Sequence, residues 1–194
     1  MSGRISLFLA SSRAGRKLTR FARKLTRRED GATVVEFAIV VIPFMALLFA
    51  IMEIALVFFA GQVLETAVAD SSRLIMTGQA QTGGFDQARF KTEVCNRVLG
   101  LFDCQGNVQI DVQKYASFGG ANLTKPLDNN GNVDSSSFGY NPGGACDIVV
   151  VRVIYEWPTF VRQLGLDLAD LPNGKRLLMS TVAFRNEPFG ATPC

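Results

Sequence analysis

From Phe37 to Ala60 the chain is apolar at nearly every position, and of these 24 residues only Glu53 is ionisable. At about 1.5 Å rise per residue, such a run is long enough as a helix to cross a hydrocarbon core of about 30 Å. Beyond it the pattern becomes one-sided. Over Gln62–Met76, the residues Val63, Leu64, Ala67, Val68, Ser71 or Ser72, Leu74 and Ile75 recur at three-and-four spacing, with Glu65, Asp70 and Arg73 mostly opposite. One helix from about Ala32 to Met76 is predicted, stopped by Gly78 and the glycines to Gly84. A break at Gly61 would give two helices instead. Pro43 removes the bond to the Ile39 carbonyl and is expected to kink the span, unless it is simply tolerated there.

Residues 85–100 read as an amphipathic helix with Phe85, Ala88, Phe90, Val94, Cys95 and Val98 as the buried stripe and Gly100 as its stop. Val108–Gln113 alternates, placing Val108, Ile110 and Val112 inward and Gln109, Asp111 and Gln113 on a wet face. Residues 117–145 are rich in Gly, Asn, Ser and Asp and read as a long surface loop, either functional or mobile. Asp147–Trp157 is apolar on both faces apart from Arg152 and Glu156, hence a central strand, ended by Pro158. Thr159–Pro172 reads as a short helix or irregular crossover, and Lys175–Asn186 as a third strand. The fold class expected is α+β: a long N-terminal transmembrane helix, then a small head with an antiparallel sheet of about three strands packed on helices.

Charge orients the span. Met1–Arg28 carries nine Lys or Arg and no acid, and basic flanks stay cytoplasmic, so the chain reads as single-pass with its head on the far side. Glu29 and Asp30 suit the positive end of the coming helix. Residues 31–194 hold eleven bases and fifteen acids, so the net +3 of the whole chain belongs to its first segment. No nucleic-acid partner follows. Four segments are expected: 1–31, a basic leader; 32–60, the span; 61–80, its helical extension; 81–194, the head. Glu53 is costly inside lipid. It either snorkels or is protonated, or it meets another subunit's helix.

Cys95, Cys104, Cys146 and Cys194 all lie beyond the span, where an even number reads as disulfides with three possible connectivities. Cys95–Cys104 closes a short loop and would leave Cys146 for Cys194. The chain has no histidine, no phosphate-binding loop and no nucleophile elbow. Asp147, Glu156, Asp167 and Asp170 show no spacing that singles out a catalytic pair. No cofactor and no enzymatic activity are expected.

The segment Gly31-Ala32-Thr33-Val34-Val35-Glu36-Phe37 before the apolar run resembles a type IV prepilin cleavage junction, and with the exported cysteine-bearing head it resembles the TadE-like minor pilins of the Tad/Flp pilus system. The resemblance implies cleavage after Gly31 by a prepilin peptidase, leaving Ala32 as the N-terminus and Glu36 fifth, paired with a neighbour's ammonium group during assembly. Phe37 opens the span, and Pro43 lies where such spans often unwind locally. Other implied partners are major and minor pilins, the Tad inner-membrane assembly platform and the lipid bilayer. Implied locations are the inner membrane, with the head periplasmic, and the assembled pilus. Phe118, Leu123, Leu127, Phe138 and Tyr140 of the long loop are expected partly to pack on the head and partly to meet a partner or surface in adhesion. The competing readings are an ordinary signal anchor, secretory cleavage at Ala67-Val68-Ala69, and an anchored periplasmic scaffold outside any filament.

Overall fold

A computed structural model describes residues 29–98, 100–104, 106–160, 168–190 and 194. The leader to Arg28 lies outside the described residues, as do Leu164, Leu166 and Asp167 of the expected crossover. Helix α1 spans Glu29–Met76 in 48 residues and runs through both Pro43 and Gly61. The break at Gly61 is therefore not found. Two compact units divide the chain between Phe49 and Ala50, so the second unit includes the last eleven residues of the apolar run, Ala50–Ala60.

In the first unit, α1 bears Val34, Val35, Phe37, Ile39, Val40 and Ile42 exposed at near-consecutive positions. Consecutive residues lie 100° apart on a helix, so every face is apolar and uncovered.

In the second unit, the α1 residues Ala50, Glu53, Val57, Ala60, Leu64, Ala67, Ser71 and Ile75 are buried, at spacings of three and four. They form one stripe against a three-stranded antiparallel sheet of β1 (Val108–Tyr115), β2 (Ile148–Pro158) and β3 (Lys175–Arg185), with β2 central. Val112, Val149, Val151 and Val153 supply the sheet's side of this core. A short helix α2 (Gln79–Thr82) follows α1. Gly78, at the junction, has φ of 78°, and the Phe189 ring lies 2.4 Å from where a Cβ would sit. Backbone conformation and space both require glycine here.

Helix α3 covers Gln87–Cys95, with the Asp86 side chain accepting from the Arg89 N–H as its N-cap. Phe90 and Val94 are buried, while Ala88, expected in the stripe, is exposed. The helix ends five residues before Gly100. The chain turns through Val98 instead, and Cys95 is bonded to Cys104.

The largest departure concerns the second face of the sheet. It is not wet. Asp111 is 0% exposed, and Ile154, Leu171 and Leu177 form a smaller core there with Val133, Phe138 and Met179 packed against it. Residues 117–145 provide part of this cover, so the long loop is structural over much of its length. Gly139 and Asn141 also bond to the free edge of β1 at Val112, at 2.8 Å each. Among the described residues nothing pairs with the outer edge of β3.

Candidate functional site

The bond between Gly31 and Ala32 lies in the first turn of α1. The first four N–H groups of a helix have no intrahelical acceptor, so opening this turn sacrifices few hydrogen bonds. Glu36 and Phe37 are both exposed, and among the described residues no partner meets the Glu36 carboxylate. Pro43 lies seven residues on, two helical turns along nearly the same face, and is also exposed. This face offers one carboxylate, one missing N–H and apolar side chains. It can bind lipid or like helices, and it brings no reactive groups together.

Glu53 is elsewhere and differently placed. Only 5% exposed, it lies in the buried stripe of α1, and its Oε1 accepts from the backbone N–H of Phe160 at 2.7 Å. The carboxylate is thus met within its own chain. Snorkelling is not what resolves it, because the head covers it.

In the head, Asp111 and Arg152 are cross-strand partners in register. Arg152 donates from Nε at 2.9 Å and from a second guanidinium nitrogen to Asp111 Oδ2. Asp111 Oδ1 accepts from Gly139 N–H at 3.1 Å and Gln113 Nε2 at 2.8 Å. Arg152 also reaches the Asn122 and Thr124 carbonyls at 3.5 Å. The pair therefore ties the long loop to the sheet. Removing Asn122–Ser137 would uncover this pair and take Val133 from the smaller core. Of the five large apolar loop residues, Phe138 and Tyr140 pack on the two cores, whereas Phe118, Leu123 and Leu127 are exposed. Burial, with the charge of Asp86 adding to it, pushes the Tyr140 phenol up to about 12.

Asp147, Asp170 and Glu156 have structural partners. Lys114, 2.8 Å from Asp147, and the Gly144 N–H hold the Asp147 carboxyl below its usual range. Asp170 accepts from Leu177 N–H at 2.6 Å, and Glu156 from Lys175 and Asn173. Disulfides join Cys95 to Cys104 and Cys146 to Cys194, leaving no free thiol.

Residues 31–73 match the family model described as TadE-like protein. No curated protein and no solved structure matches the chain. The matched segment holds the junction at Gly31, Glu36, the whole apolar run and most of the buried stripe. The sheet lies outside it.

Proposed function

We propose, proceeding from the TadE-like character of residues 31–73, that this chain is a minor pilin or pseudopilin of a Tad/Flp-type pilus, processed after Gly31 and acting by assembly, without catalysis of its own. The observation that carries the reading is an α1 segment apolar on every face, opened by Gly31 and Glu36. One helix fits a single-pass anchor. Leaving lipid for a bundle of like helices is close to a neutral exchange of apolar surroundings, so small residues and polar contacts decide register. Glu36 is the carboxylate available for that purpose. Its partners in this reading are a prepilin peptidase, other pilins and the Tad assembly platform, with the head periplasmic or carried into the pilus.

Processing tests it. Co-expression with a cognate prepilin peptidase should shorten the chain by 31 residues to begin at Ala32, and Gly31→Val should abolish the shift in intact mass. An unshortened wild-type chain under those conditions would overturn the reading. Glu36→Gln should leave cleavage intact and reduce incorporation into pili, because the neutral amide offers no counter-charge to a neighbour's ammonium group. Normal pilus number in Glu36→Gln cells would remove Glu36 from that role.

A further inference from the structure

We infer that the head is seated in the interfacial layer of a lipid bilayer, with Phe160 at the end of β2 inserted as an apolar anchor. The inference rests on α1 being a membrane anchor, and on three observations within the second unit. First, Phe160 is 73% exposed, more than any other large apolar residue among the described residues of the head. An aromatic ring left so open is costly in water and is accounted for if lipid covers it.

Second, the Phe160 backbone is fixed at a particular level of α1. Its N–H is held by Glu53, which lies seven residues before Ala60, or about 10 Å along the helix. At that level the outward side chains of α1 are Ile51, Ile54, Phe58 and Phe59, all exposed. Between Phe37 and Ala60 no charged residue other than Glu53 occurs. Phe160 therefore belongs to an apolar surface around this part of the unit.

Third, the lengths agree. The 24 residues from Phe37 to Ala60 would measure about 36 Å, more than a core of about 30 Å requires. Head cover begins at Ala50, so about 15 Å of the apolar run is shared between head and surroundings. Counted from Phe37, a core of about 30 Å ends about 20 residues on, near Leu56, so the Glu53 level that holds Phe160 lies within about 6 Å of the hydrocarbon boundary. The same end of the sheet carries Trp157, Lys175 and Arg176, with Trp157 in register with Arg176 and Lys175 next to it. Aromatic and basic residues are the types that hold the boundary between hydrocarbon and water.

The test uses the full chain in phosphatidylcholine nanodiscs, with and without bromine on the acyl chains, and single-tryptophan variants in a Trp157→Phe background. Phenylalanine keeps an aromatic ring against Phe102 and Tyr155, which Trp157 contacts edge-on. Phe44→Trp reports on the anchor, Phe160→Trp on the head edge, and Phe118→Trp on the loop beyond the other end of β1. The expected result is loss of emission in brominated discs at positions 44 and 160 and no loss at 118. Quenching at 44 with none at 160 would overturn the inference and leave the anchor standing. No quenching at 44 would overturn both, and equal quenching at 118 and 160 would show general adsorption of the head and also overturn it. The unaltered chain gives an independent reading: its own Trp157, three residues before Phe160, should lose emission too.

Discussion

Asp111→Ala should destabilise the head by about 3–5 kcal/mol, because it leaves the Arg152 guanidinium buried without its counter-ion. Arg152 is only 7% exposed and its partner fully buried, so water cannot take the place of the lost carboxylate. The substitution also removes the acceptor of the Gly139 N–H and the nearer of two acceptors of the Gln113 amide, which keeps the Ser137 carbonyl at 3.4 Å. Replacing both partners, as Asp111→Leu with Arg152→Met, should be far milder, since no isolated charge remains. Urea unfolding of the full chain in detergent micelles, followed by Trp157 fluorescence, measures both. A single-variant loss under about 1 kcal/mol would mean that the guanidinium finds water or another acceptor, and that the loop is not tied down here.

The disulfides should be unequal. In the chain-entropy account, the stabilisation grows with the loop closed. Cys146–Cys194 spans 48 residues and Cys95–Cys104 spans nine. Paired replacement by alanine should therefore cost about 4 kcal/mol for the long bridge and about 2.5–3 kcal/mol for the short one. The same unfolding measurement checks the order. If removing the short bridge costs more, then Cys95–Cys104 acts in the folded state, by ending α3, more than by restricting the unfolded chain.

Much of this architecture was legible because it depends on local pattern. Val108, Ile110 and Val112 alternate, and the near-continuous apolar character of Asp147–Trp157 marks a strand covered on both faces. Alternation misled at Asp111. It assigns a polar residue to the solvent side, and the loop that covers that side comes from residues 122–139. The signal that could have found the pair was Arg152, a lone cation in an otherwise apolar central strand, but its partner emerges only once β1 and β2 are in register. Glu53 was legible as an anomaly and not as a contact. It is met by a backbone N–H at Phe160, and a backbone donor carries no signature in the side-chain sequence. The predicted boundary at Ala60 followed hydropathy alone, whereas head packing begins at Ala50 and leaves apolar residues on the uncovered side of α1.

The two edges of the sheet set a limit on stoichiometry. Gly139 and Asn141 occupy the β1 edge at Val112, while the outer edge of β3 has no described partner. Strand addition between heads could therefore proceed only from β3. Two copies meeting β3 to β3 would form an isologous pair, a six-stranded sheet with both ends already occupied, and growth would stop there. An unlimited polymer needs two complementary surfaces per subunit, and this sheet offers one. An open-ended filament containing the chain would therefore not be built by strand addition between heads, and the uncovered apolar faces of α1 are a surface available for repeating contacts.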